Sequence, residues 1–261
     1  MNYFFVDVAL LVAACLPLRI IYKLPPFVRP VLDPYEWYSY SFPLSPDTLP
    51  PGPAAVFYTL PFVVLTLGLL GTKRLSTQKV LRLVIGFATS ALSSQFTVLI
   101  IKYAYGRLRP DFLARCFEEY PDIDMASLPA VPVCTTKNRV RLLDGRRSFP
   151  SGHASFMFAA AVFTSCTWII ALRSTNHGQS FAFTFLPVLF MVIVSCWGAA
   201  TRTSDFRHHP TDVIGGVVIG IVFGCLCATY TVAKFNDSPT RVDGSEREKA
   251  KLLSDDLTLD V

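Results

Sequence analysis

Val213-Ile-Gly-Gly-Val-Val-Ile-Gly-Ile-Val-Phe-Gly-Cys-Leu-Cys-Ala-Thr-Tyr-Thr-Val-Ala233 contains no charged side chain. Its length matches the roughly 20 residues a helix needs to cross a hydrocarbon core about 30 Å thick. Upstream lie further charge-free runs of the same kind: Pro53 to Gly71, Leu83 to Ile101, Ala154 to Leu172 and Phe181 to Thr201. Lipid offers no partner to a backbone N–H or C=O, so each run is read as a helix. A further stretch, Asn2 to Tyr22, is weaker, because Asp7 and Arg19 interrupt it. It lacks the basic start of a secretory signal and is counted as a span. The expectation is an all-α integral membrane bundle of six transmembrane helices. One domain over 1–234 carries spans at about 2–22, 53–71, 80–101, 154–172, 181–201 and 212–234, and the polar stretch 235–261 reads as a disordered tail.

Composition agrees. Hydrophobic residues make up 52% of the 261, and charged residues only 16%, against roughly 25% in soluble domains. The mean hydropathy is +0.43. A disordered chain and an ordinary soluble globule are both excluded. The net charge of +5 forms no basic stripe on a soluble module, so no nucleic-acid partner is expected.

The links between spans differ in length. Those over 72–79, 173–180 and 202–211 are short, whereas Lys23 to Gly52 and Lys102 to His153 are long. The aromatic segment Asp33 to Pro43 reads as an interfacial belt in preference to a wall of the substrate path. The seven cysteines follow no zinc spacing. Cys15, Cys166, Cys196, Cys225 and Cys227 lie in apolar runs and behave as small hydrophobes. Cys116 and Cys134 share one polar loop; they pair if that loop faces an oxidising lumen and stay thiols in the cytosol.

Alternating spans bring three polar stretches to one face at the membrane boundary. Lys102-Tyr-Ala-Tyr-Gly-Arg-Leu-Arg109-Pro110 leaves span three, Arg146-Arg-Ser-Phe-Pro-Ser151-Gly152-His153 enters span four, and Arg202-Thr-Ser-Asp-Phe-Arg-His208-His-Pro-Thr-Asp212 joins spans five and six. A phosphoryl group in transfer spreads negative charge over its equatorial oxygens, so its catalysis is mostly positioning and charge stabilisation. Lys102, Arg109 and Arg202 supply that charge, and Ser151 and Gly152 stand where a helix N-terminus attracts anions. His208 is the candidate nucleophile, oriented by Asp212 four residues on, and His153 the candidate acid and base.

Taken singly, each residue has a plainer explanation. A cation at a span end anchors the interface, and a His or Asp at a helix start caps it. Arg107, Arg146, Arg147 and Arg207 read as loop charges, with Arg147 a candidate support, and His209 as structural or orienting. Three remote stretches converging on one face outweigh those explanations. A metal site is disfavoured, because there is no His-Glu-x-x-His helix and acids are few around the cations. Neither a metal nor another cofactor is expected.

Lys102-x6-Arg109-Pro110, Pro150-Ser151-Gly152-His153 and Arg202-x5-His208-x3-Asp212 together resemble the signature of the type 2 phosphatidic acid phosphatase superfamily, the lipid phosphate phosphatases. Gly106-Arg-Leu-Arg-Pro-Asp-Phe and Arg147-Ser-Phe-Pro-Ser-Gly-His look most like its eukaryotic branch of diacylglycerol pyrophosphate phosphatase-like and phospholipid phosphatase 4/5 proteins. The resemblance implies a six-helix core and a magnesium-independent phosphohydrolase acting on phosphatidic acid, lysophosphatidic acid or diacylglycerol pyrophosphate through a phosphohistidine. It also implies a lumenal or extracellular site with cytoplasmic termini, in the endoplasmic reticulum or plasma membrane. Thr201 departs from the family's usual Ser while keeping the hydroxyl. The partners are then the lipid phosphate and the bilayer. Polyprenyl, sphingoid or soluble phosphate esters are the alternative substrates, and a non-catalytic lipid-phosphate binder is the alternative class.

Overall fold

The structure, a computed structural model, describes residues 21, 24–71, 76–118, 124–173 and 180–236. In chain order its helices are α1 (Pro51–Gly71), α2 (Thr77–Tyr105), α3 (Phe112–Cys116), α4 (Arg139–Gly145), α5 (Gly152–Arg173), α6 (Phe181–Ser204) and α7 (Pro210–Asn236). No strand occurs among the described residues, and 5 of the helices are long and apolar enough to cross a membrane. This is the all-α membrane architecture expected. The first span, apart from residue 21, and the tail beyond 236 lie outside the described residues.

The helices overrun their charge-free stretches, which corrects the expected boundaries. α2 continues past Ile101 through Lys102 to Tyr105, and α6 past Thr201 through Arg202 to Ser204. A cation in the last turn faces the carbonyl end of the helix dipole, so charge there does not stop the helix. What stops α2 is Gly106, left-handed at φ 59°, whose N–H bonds back to Lys102 O at 3.1 Å. α5 begins at Gly152 and α7 at Pro210, each ahead of its expected start, and α1 opens on Pro51-Gly-Pro, where a first-turn proline costs no hydrogen bond.

α5 is the centre of the bundle, packing on α1, α2, α6 and α7. Its closest neighbour is α7. A Cβ on Gly216 or Gly220 would run into Ser151 O or Ser155 O, and one on Gly224 would meet Val162 Cβ at 2.8 Å. Glycine every four residues lets the two backbones approach, as in small-residue membrane contacts. Elsewhere on α5, Phe163 meets the stacked pair Phe62 and Phe87 edge-on, each at 5.9 Å.

Above the boundary, the loops fold into a cap with its own core of Val31, Trp37, Tyr40, Leu108, Phe112, Leu113 and Cys116. Cys116 and Cys134 are joined by a disulfide. The belt expected over Asp33 to Pro43 is corrected here. Asp33 caps a 3₁₀ turn, Pro34–Tyr40, that turns Trp37 and Tyr40 inward and leaves Tyr35 and Tyr38 exposed.

Candidate active site

Backbone hydrogen bonds join the three polar stretches. Ser148 N donates to Arg107 O at 2.9 Å, Arg109 N to Gly145 O at 2.9 Å, and Ser151 N to Asp212 O at 2.8 Å. Ser151 is fully buried, and its Oγ caps α5 by accepting from Ala154 N at 3.4 Å. Gln95 Nε2 donates to Gly152 O at 3.0 Å, fastening the start of α5 to α2.

Between α1, α2 and α5 lies a cavity of about 460 Å³. One end is charged, lined by Lys102, Arg109, Asp144, Arg147, His153 and His208; the other is apolar, lined by Pro51, Ala54, Val98, Leu99, Phe156 and Met157 with Gln95 among them. Ser151, Arg202 and Asp212, marked by the sequence as part of the same site, are enclosed next to this space and do not line it.

The acids are not few around the cations, contrary to the sequence expectation. Arg109 Nη2 pairs with Asp144 Oδ1 at 2.9 Å, Asp144 Oδ2 with Arg115 at 3.0 Å, and Arg115 with Asp111 through two contacts at 2.7 and 2.8 Å. Arg207 meets Asp111 at 3.5 Å and Asp47 at 3.0 Å. Arg202 meets Asp47 at 3.3 Å and Asp205 at 2.9 Å. Arg109 and Arg202 therefore sit at two points of one chain of alternating charge. Burial lowers the pKa of Arg109, and Asp144 opposes that shift. Asp144 itself is held below the usual carboxylate range: burial pushes it up, but Arg109 and Arg115 together outweigh that. Thr201 Oγ1 accepts from Arg202 Nε and Nη2 at 3.1 and 3.0 Å, which is the use to which its hydroxyl is put. Lys102 Nζ donates to Arg147 O at 2.6 Å and Ser148 O at 3.2 Å.

His208 precedes α7, so the four-residue spacing to Asp212 does not put the two on one helix face. The turn carrying it is set by Phe206, at φ 54° and stacked on Phe42 at 4.7 Å, and by His208 N donating to Arg202 O at 3.1 Å. His208 Nδ1 stands 3.7 Å from Asp212 Oδ2, beyond hydrogen-bond distance. Asp212 is instead held by Arg107 Nη1 at 2.7 Å, Ser148 Oγ at 2.5 Å and His209 N at 2.9 Å. Burial drives the His208 pKa well below the ordinary histidine value; Asp212 opposes this, and Lys102 and Arg109 add to it. The imidazole is neutral at neutral pH. His153 Nε2 and His208 Nδ1 are both buried with no hydrogen-bond partner among the described residues.

Residues 83–236 match the PAP2 superfamily. The chain belongs to that superfamily. It is similar to diacylglycerol pyrophosphate phosphatase 1 of Saccharomyces cerevisiae, 38% identical over 142 residues, which are 53% of this chain and 47% of that protein. Phospholipid phosphatase 2 of Rattus norvegicus is 29% identical over 243 residues, 85% of this chain and 84% of the relative. Lipid phosphate phosphatase 2 of Arabidopsis thaliana is 32% identical over 164 residues, 62% and 53% of the two chains. The chain thus spans about half the length of the yeast relative. No solved structure matches it.

In this PAP2 chain the structure adds residues that the sequence reading passed over. Arg107 and Ser148 lie inside the quoted stretches and were legible as polar groups beside the motifs. Asp205, three residues after Arg202, had a helical pairing signal. Asp47 reaches Arg202 from 155 residues away, with no local signal at all.

Proposed function

We propose that this chain is a lipid phosphate phosphohydrolase acting on phosphatidic acid, lysophosphatidic acid or diacylglycerol pyrophosphate. The observation that carries this is one cavity with a cationic, histidine-bearing end and an apolar end lined by the membrane-length helices α1, α2 and α5. An amphiphile fits both ends at once: phosphate against Lys102, Arg109 and His208, chains toward Val98, Leu99 and Phe156. The relatives' names, diacylglycerol pyrophosphate phosphatase and phospholipid phosphatase, point to the same substrate class.

In this reading, neutral His208 attacks phosphorus through Nε2, and Asp212 orients it once substrate closes the 3.7 Å gap to Nδ1. His153 protonates the leaving oxygen and then takes a proton from the water that cleaves the phosphohistidine. Lys102, Arg109 and Arg202, with the α5 N-terminus at Ser151 and Gly152, stabilise the charge without magnesium. The cap faces the lumen or exterior of the endoplasmic reticulum or plasma membrane, with the termini cytoplasmic. The Cys116–Cys134 disulfide supports that side, since disulfides persist in oxidising compartments. The test is phosphate release from phosphatidic acid in mixed micelles with excess EDTA. Wild type should turn over, and His208→Ala and His153→Ala should lose at least about 10²-fold in kcat while still inserting. Equal turnover in all three would reject the assignment.

A further inference from the structure

The apolar end of the cavity contains one polar side chain, Gln95. It stands on α2 seven residues before Lys102, two helical turns or about 10.5 Å along the axis, so both lie on the helix face that lines the cavity. Val98 and Leu99, which also line it, occupy the turn between them. The level of Gln95 against the anion cradle is set by α5. A Cβ on Gly152, the first residue of α5, would meet Gln95 Oε1 at 3.2 Å and Val98 Cγ1 at 3.7 Å. Gln95 Nε2 donates to Gly152 O at 3.0 Å. The carboxamide therefore lies one residue from His153, where charged lining gives way to apolar lining. A carboxamide carries two N–H donors and an acceptor oxygen. Gly152 O takes one donor, and neither the second N–H nor Oε1 has a hydrogen-bond partner among the described residues. Leaving a polar group unpaired against hydrocarbon is costly, so the lipid that fills this space is one that completes it.

We propose that Gln95 is a specificity-determining residue that reads the linkage between headgroup and chains, its second N–H donating to an ester carbonyl of the bound lipid. The inference rests on the phosphohydrolase reading above and deepens it. In a diacyl lipid phosphate the ester carbonyls follow the phosphate within a few bonds. With the phosphate against Lys102 and the start of α5, they come to the level of Gly152 O and Gln95, and the chains continue past Val98 and Leu99. An ether-linked phosphatidate has no carbonyl at that depth, and a polyprenyl phosphate has only hydrocarbon. Both leave the carboxamide unpaired, and a site that hydrogen-bonds a group selects against the analogue lacking it. Gln95 touches neither the phosphorus nor the leaving oxygen, so it governs which lipid is accepted and takes no part in the bond changes.

The experiment measures kcat/KM for diacyl phosphatidic acid and its dialkyl ether analogue of equal chain length, in the same mixed micelles with EDTA, for wild type, Gln95→Leu, Gln95→Glu and Val98→Ala. The wild type should favour the diacyl lipid about fivefold, the scale of one neutral hydrogen bond. Gln95→Leu removes the carboxamide and should bring the ratio close to one. Gln95→Glu keeps the shape but, as a carboxylate, has no donor, and should do the same. Loss of the Gly152 contact in these variants lowers both lipids alike and drops out of the ratio. Val98→Ala, which trims the apolar wall beside Gln95, should lower both lipids and keep the wild-type ratio. A wild-type ratio near one, the wild-type ratio retained in both Gln95 variants, or a ratio that falls as far in Val98→Ala as in Gln95→Leu would overturn the proposal while leaving the phosphohydrolase reading intact. Absence of phosphate release from either lipid by the wild type would overturn both.

Discussion

Asp212 is held from three directions. It accepts from Arg107, Ser148 and the His209 backbone while standing 3.7 Å from His208. Its position is therefore fixed by residues that do not line the cavity. Asp212→Asn should lower kcat by about 10²- to 10⁴-fold, the range for losing the orienting carboxylate of a catalytic histidine, in a protein that still folds. Ser148→Ala, measured beside it, should cost less, because Arg107 and His209 N remain. The pH profile follows from burial. An imidazolium enclosed between Lys102 and Arg109 is disfavoured, so the proton leaves His208 at a lower pH than from an exposed histidine. In the proposed mechanism the neutral form attacks, so activity should persist on acidification past the ordinary histidine range. The acid limb of kcat/KM for the wild type should lie below about 6.5, the unperturbed value. Removing the Asp212 charge should move it lower still. A limb at or above the ordinary value would contradict this placement of His208.

Helices were the easier part to read from sequence, and their ends the harder. Each described span coincides with a charge-free run because lipid excludes charge, but α2 and α6 run on through Lys102 and Arg202, whose side chains favour a helix C-terminus. His208 and Asp212 were picked out by spacing, yet the helix starts only at Pro210, between them, and Nδ1 and Oδ2 stand 3.7 Å apart. Asp47 and Asp144 were invisible because their arginines lie 155 and 35 residues away. What no hydropathy pattern reveals is the closeness of α5 and α7. Gly220→Leu puts a side chain into the backbone at Ser155 and Ala159 and against Phe158 Cβ and should destabilise by about 1–3 kcal/mol or more, as overpacking does. Gly68→Ala on α1, where a Cβ meets nothing within 4 Å, should leave thermal stability unchanged or slightly raised. Melting of the detergent-solubilised variants checks both; a stable Gly220→Leu protein would refute the close α5–α7 contact.

Across the whole molecule, the bundle supplies the cavity and the cap holds its charged end in place. α3 carries Arg115 and Cys116 and follows directly on Asp111, so the disulfide to Cys134 anchors the same element that links Arg109 to Arg207 through carboxylates. Replacing both cysteines with serine opens a loop of 18 residues' separation and should remove about 3 kcal/mol of stability by the loop-entropy relation. Thermal inactivation should show it before any loss of initial rate. The central claim is that His208 becomes covalently phosphorylated by a lipid phosphate. It is tested most directly by quenching the protein with phosphatidic acid labelled in its phosphate and mapping the label by peptide. Acid-labile, base-stable label on His208 and none on neighbouring His209 is the predicted result; label on His209, or phosphate release with the label never passing through a histidine, would contradict the account.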